Sequence, residues 1–161
     1  MSTLQETLFN NNHAVTISMQ GLADGSKAIS DVIDNSVNRF IQADIQVKFK
    51  TNQHKINPSG TVSIGILRSV DGGVTFDSHL RPGNIIATID QLDADTTYVV
   101  SASTHNIGLL PSHFKVSVRN DTGQPLFHKD EKFSVVYAGK NILEVASTAS
   151  MAFNLSQEWL R

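Results

Sequence analysis

Ile41-Gln42-Ala43-Asp44-Ile45-Gln46-Val47-Lys48-Phe49-Lys50 alternates apolar and polar residues through five consecutive pairs. In an extended chain, side chains two apart share a face, so Ile41, Ala43, Ile45, Val47 and Phe49 line one side and their partners the other. A helix would scatter those five around its circumference. The segment is therefore expected to be a half-buried antiparallel strand.

The same period returns along the chain. Val15, Ile17 and Met19 alternate with Thr16 and Ser18; Val62, Ile64 and Ile66 with Ser63 and Gly65; Tyr98, Val100 and Ala102 with Val99, Ser101 and Ser103. Phe114, Val116 and Val118 alternate with Lys115, Ser117 and Arg119, and Phe133, Val135 and Tyr137 with Ser134 and Val136. A further strand is expected at Ile85–Ile89. Turn-forming residues separate these runs, as in Asn57-Pro58-Ser59-Gly60, Asp71-Gly72-Gly73, Arg81-Pro82-Gly83 and Asn120-Asp121-Thr122-Gly123. Short strands with turns between them, and no room for crossover helices, predict an all-β fold: an antiparallel β-sandwich of about 7–8 strands, jelly-roll-like or Greek-key.

Three regions stand outside the alternation. Residues 1–12 read as a polar N-terminal arm in which the spacing of Leu4 and Leu8 allows one helical turn. Residues 21–39 form a long first connection. Residues 141–161 form a C-terminal extension in which Leu143, Ala146, Ser150 and Phe153 share a helical face among poor helix formers, so helix and extended arm both stay open. The expected organisation is an arm over 1–12, a sandwich over 13–140 and an extension over 141–161.

Composition removes several function classes. Thirteen basic and fifteen acidic residues give a net charge of −2 without a basic block, which speaks against phosphate-dominated nucleic-acid binding. The absence of cysteine excludes thiol catalysis, disulfides and cysteine zinc sites. No segment has the length and apolarity of a membrane span or the pattern of a signal peptide, so a soluble chain is expected. Charged residues are only 17%, against about 25% in an average domain, which hints at surface kept against a neighbour.

Ser69-Val70-Asp71-Gly72-Gly73-Val74-Thr75-Phe76 is the most specific local motif. It resembles the Asp-box of sialidases and other secreted β-proteins, with Phe76 where tryptophan is usual. Asp71 is expected to accept backbone amides across a tight hairpin, Gly73 to take positive φ, and Ser69, Thr75 and Phe76 to pin the turn, a structural role. The six histidines His13, His54, His79, His105, His113 and His128 fall into no metal-ligand spacing, although His105 and His113 bracket one loop. No nucleophile elbow or phosphate loop occurs, and Asp93 and Asp95 flank a turn rather than form a glycosidase pair. No catalytic residue, metal or cofactor is expected.

A wider composite covers about residues 13–138: Ala14–Met19, Gly21–Ser26, Asp34-Asn35-Ser36, the Ile41–Phe49 alternation, Gly60-Thr61-Val62, Arg68–Gly73, Val118–Gly123 and Phe133–Tyr137. It resembles small β-sandwich structural proteins of tailed bacteriophages and prophages. The resemblance brings no catalytic residues. It implies a virion component, foremost a capsid decoration (cement) protein, made in the host cytoplasm. Its partners would be further copies of itself, in a homo-oligomer for which the resemblance suggests three, and a major capsid protein. The 141–161 extension is longer than the ending of that group. Leu4, Leu8, Phe153, Trp159 and Leu160 are the expected assembly residues, since apolar and aromatic side chains on polar arms favour buried contacts; the alternative for the tail is packing on its own sandwich as a last strand or helix. A tail or baseplate protein and a carbohydrate-binding module are the alternatives. The module is disfavoured because Trp159 is the only tryptophan and both tyrosines fall on expected core faces.

Overall fold

The computed structural model describes residues 4–127 and 133–145, with backbone alone for residues 4–9, 11 and 142–145. Its strands are β1 (Leu4–Ala14), β2 (Lys27–Ile29), β3 (Ile33–Asp34), β4 (Gln42–Lys50), β5 (Thr61–Ser69), β6 (Ile85–Ile89), β7 (Thr97–Ser103), β8 (His113–Asp121) and β9 (Ser134–Val145). A single 3-10 turn, Thr104–Ile107, interrupts them.

Antiparallel pairs nest from the outside inward: β1 with β9, β2 and β3 with β8, β4 with β7, β5 with β6. This is one long hairpin ribbon. Rolling it up adds the pairs β4 with β9 and β5 with β8, and so produces two sheets, β1-β9-β4-β7 and β2-β8-β5-β6. With β2 and β3 counted as one interrupted strand along β8, the result is an eight-stranded jelly roll.

The alternation at residues 41–50 sets the first sheet's inner face. Ala43, Ile45, Val47 and Phe49 are buried while Gln46 is exposed. Ile45 lies opposite Ala102 on one side and Tyr137 on the other, so β4 is central. Across the core it faces the second sheet's Val62, Ile64, Ile66, Phe114, Val116 and Val118, all buried. β5 departs from its expected two-faced character: Ser63, Gly65 and Leu67 are buried as well. The 70–84 connection folds over its outer face, where a Cβ on Gly65 would overlap the Leu80 side chain and Asn84 O accepts Ile66 N–H at 2.9 Å.

Two expectations are corrected. Val15, Ile17 and Met19 do alternate in burial with Thr16 and Ser18, but they join no ladder. Only isolated bonds hold them, such as Val15 N–H to Val135 O at 2.9 Å. Alternation reports which way side chains point, and an extended segment crossing between sheets satisfies it equally well. The helical turn drawn from Leu4 and Leu8 is replaced by strand: Leu4 through Asn10 pair with Val145 through Gly139. A polar segment with indifferent propensity takes the conformation in which a neighbouring strand satisfies its backbone groups.

Candidate functional site

Strand direction alternates, so the connections 35–41, 70–84 and 104–112 converge on one pole of the sandwich. β1 begins and β9 ends at that same pole. β4 stops pairing with β9 at Gln42 opposite Lys140, whereas β1 follows β9 on to Val145. Leu4–Phe9 and Lys140–Val145 thus form a two-stranded ribbon extending past the end of the sheet. A bulge between Asn10 and His13, with Asn12 at φ 66°, separates this ribbon from the sandwich part of β1.

The pole is rigid. Buried Asn35 ties two connections together: its amide N–H donates to Ser112 O at 2.7 Å, and its Nδ2 donates to Phe40 O at 2.9 Å and Pro111 O at 3.2 Å. Its Oδ1 accepts Phe40 N–H at 2.9 Å. Leu110 N–H reaches Ile41 O at 2.9 Å, and Ile41 N–H reaches Lys140 O at 3.0 Å, which continues the link into β9. The Phe40 ring lies over Gly139, where a Cβ would overlap it.

Asp71 organises the third connection as its motif implies. Oδ1 accepts Ser69 Oγ–H at 2.8 Å, Val74 N–H at 3.1 Å and Thr75 N–H at 2.9 Å; Oδ2 accepts Thr75 Oγ1–H at 2.6 Å. Gly73 N–H donates to Ser69 Oγ at 2.8 Å, and Gly72 and Gly73 sit at φ 73° and 92°. The Thr75 hydroxyl, then its amide and the Ser69 hydroxyl, hold the Asp71 carboxyl well below the usual carboxylate range. Phe76 lies half-buried under the Lys115 ammonium, 4.4 Å from the ring centroid. The loop is closed by one backbone bond, Asp77 N–H to Arg68 O at 3.0 Å, so the expected hairpin is a closed loop without a second strand.

Among the exposed side chains of these connections are four aliphatic ones. Val70 and Val74 on the Asp71 loop are 98% and 79% exposed, Val37 85% and Leu109 70%. These are four of the seven exposed large hydrophobics among the described residues, gathered at one pole. The opposite pole is sealed by polar staples: Asn120 Nδ2 to Leu22 O at 2.9 Å, Gly123 N–H to Asp24 Oδ1 at 2.8 Å, Asn52 Nδ2 to Pro125 O at 3.0 Å. The two poles thus differ in the apolar side chains that they expose.

Of the expected assembly residues, Leu4 and Leu8 lie in the ribbon, while Phe153, Trp159 and Leu160 lie outside the described residues, as does His128. Alternation could not single out Val37, Val70, Val74 and Leu109, because they sit in turns where side-chain direction depends on loop geometry.

Two other arrangements have chemical interest. Ser112 Oγ lies 3.0 Å from His113 Nδ1, and His113 Nε2 lies 3.6 Å from Asp34 Oδ1. The order of atoms is the reverse of a serine hydrolase triad, and the carboxylate contact is too long for a hydrogen bond. Ser36, not His113, is the main cause holding the Asp34 carboxyl low. His105 instead meets Gln42 Nε2 at 2.8 Å through its Nδ1, so the two histidines take separate partners. A polar cleft of about 340 Å3 runs between His13–Thr16 and Asp31–Asp34, floored by Tyr137. Tyr137 stacks on His13 at 4.7 Å between centroids, and burial pushes its hydroxyl pKa up. His13 thereby covers one face of the Tyr137 ring. Among the described residues no His, Asp and Glu group could hold a metal, and no helix is long and apolar enough to cross a membrane.

A scan against protein-family models returned no match, and a search of curated proteins returned none either.

Proposed function

We propose that this chain is a non-enzymatic structural component of a tailed-phage virion, a capsid decoration protein that docks through the pole bearing the ribbon and the exposed valines. The observation that carries the reading is the concentration of Val37, Val70, Val74 and Leu109 on connections held rigid by Asn35 and Asp71. The phage assignment itself comes from the sequence resemblance.

Magnitudes decide how such a face works. Full burial of each side chain contributes about 1.5–3 kcal/mol. Association costs on the order of 4–15 kcal/mol in lost freedom. Four residues therefore support weak docking of one copy and firm attachment only when copies act together, which suits a protein repeated over a lattice.

The test is binding of purified protein to capsids that lack it. Wild type should cosediment saturably, and Val70→Asp with Val74→Asp should reduce binding at least roughly tenfold while leaving the β-sheet circular dichroism unchanged. Equal binding by both proteins would contradict docking through this pole. A tail or baseplate position is distinguished by the same variants assayed on isolated tails.

A further inference from the structure

Arg68 stands on the core side of β5. It shares the two-residue period of Val62, Ile64 and Ile66, all fully buried, and it pairs across the sheet with Phe114, buried as well. The backbone here is fixed from the Asp71 loop: Arg68 N–H donates to Asp77 Oδ2 at 3.1 Å, and Arg68 O accepts Asp77 N–H at 3.0 Å. The side chain has no such anchor. It is half-buried, its Nε and Nη2 are both buried, and neither nitrogen has a hydrogen-bond partner among the described residues. Arg68 also enters none of the ion pairs among those residues. Gly108, at φ 90° just after the 3-10 turn, lies beside this edge of the guanidinium. A Cβ placed on it would meet a single neighbouring atom within 4 Å, Arg68 Nη2 at 3.8 Å.

We infer that Arg68 Nε and Nη2 form a binding site for a carboxylate group. A guanidinium does not shed its proton in a protein, so burial cannot be relieved by neutralisation. An unpaired buried cation is costly, and buried charges are normally retained against a counter-charge. The two orphaned nitrogens are also the pair on one edge of the guanidinium, where parallel N–H groups match the two oxygens of a carboxylate. A carboxylate balances the single charge one for one. A phosphate would bring further charge and oxygens against Phe114 and Ile107, both buried apolar residues. The approach is beside Gly108, which has no side chain to obstruct it and whose Cβ position is otherwise open. A carboxylate held there would lie between β5 and the 104–112 connection that carries exposed Leu109.

The site does not depend on the virion reading and is tested on the full-length protein alone. Sodium acetate is titrated against sodium chloride at equal ionic strength, followed by NMR of the arginine Nε–H groups and by urea denaturation. The Arg68 Nε–H and Gly108 amide resonances should shift saturably with acetate and not with chloride, and the urea midpoint should rise in step. Arg68→Met should be at least as stable as wild type in chloride, since it removes an unpaired buried charge, and should lose the acetate response. Arg68→Lys keeps the charge without the paired donors and should bind acetate at least roughly tenfold more weakly. An Arg68 Nε–H resonance that ignores acetate in the wild type would overturn the inference. So would an Arg68→Met protein markedly less stable than wild type in chloride, because the guanidinium would then already hold a partner within the chain. Equal acetate affinity for Arg68→Lys would reduce the effect to a point charge and overturn the paired site. The carboxylate could be a free small molecule or an acidic side chain of a docked protein, and the capsid sedimentation assay separates the two. Competition by acetate together with weaker binding by Arg68→Met assigns the side chain; capsid binding untouched by both assigns the free carboxylate. Failure of any capsid binding with the acetate response intact counts against the virion reading and leaves the site standing.

Discussion

Asp71 and Ile45 show how differently two residues in one small fold can be essential. Ile45 is fully buried at the centre of the first sheet, and Ile45→Ala should lower stability by about 2–5 kcal/mol, read as a reduced urea midpoint with an unchanged slope. Asp71 is exposed and works through four donors that converge on its carboxylate. Its role should therefore be local: Asp71→Ala should speed amide exchange at Gly73, Val74 and Thr75 while exchange in β4 and β8 stays slow. The pH dependence follows from the direction of the shift. The folded carboxyl titrates below the unfolded one, so the ionised acceptor is present throughout the pH range above the ordinary carboxylate value and is lost only as pH falls through the lower, folded value. Amide protection at Val74 and Thr75 should accordingly survive acidification through the usual carboxylate range. Asp71→Asn should weaken protection at all pH values and remove that dependence. The motif was legible in the sequence because Ser69, Asp71 and Thr75 are local partners. The Asn35 clamp was not, because its partners Pro111 and Ser112 are distant in the chain and nothing in Asp34-Asn35-Ser36 points to them.

Strand elements were readable to the extent that each presents one face to the core. The residues 41–50 segment satisfies that condition from Ala43 to Phe49, with Ala43, Ile45, Val47 and Phe49 all inward as expected, whereas Ile41 precedes the strand and is half-buried. β5 does not, because a connection covers its outer face; β1 does not, because much of it pairs beyond the sandwich. It carries Gln5, Glu6, Asn10, Asn11 and Asn12, so neither hydrophobic period nor propensity marks it as strand. What makes it strand is β9. Deleting residues 141–161 should therefore leave the β4, β5 and β8 amides protected from exchange, while those of Leu4–Leu8 lose protection with their ladder partners. Global unfolding of the truncated chain would show the ribbon to be part of the core. A second element-level prediction concerns the contact between β9 and the 35–41 connection. Gly139→Ala should destabilise by about 1–3 kcal/mol in urea denaturation, since the added methyl meets the Phe40 ring. Phe40→Leu in the same chain should recover part of that loss, because the clash is with the ring and not with backbone.

At the scale of the whole molecule, the two poles of the jelly roll differ in character. One pole is closed by Asn120, Asp24 and Asn52 hydrogen bonds to neighbouring loops; the other gathers three rigid connections, four exposed aliphatic side chains and a projecting ribbon. Fold alone does not assign function, since jelly rolls serve as capsid, lectin and enzyme scaffolds alike. The asymmetry between the poles is the observation on which the proposed assembly role rests. The sandwich class could be argued from alternation, turns and the lack of crossover helices. The polarity could not, because it arises only once strand direction brings connections from three separate parts of the sequence together. The central claim, that the chain is a repeated part of a phage particle, is tested most directly by quantitative mass spectrometry of gradient-purified particles from the strain that carries the gene. The account predicts the chain at a copy number comparable with that of the major capsid protein, retained through salt washing; its absence from intact particles, with the protein found only in the soluble lysate, would contradict it.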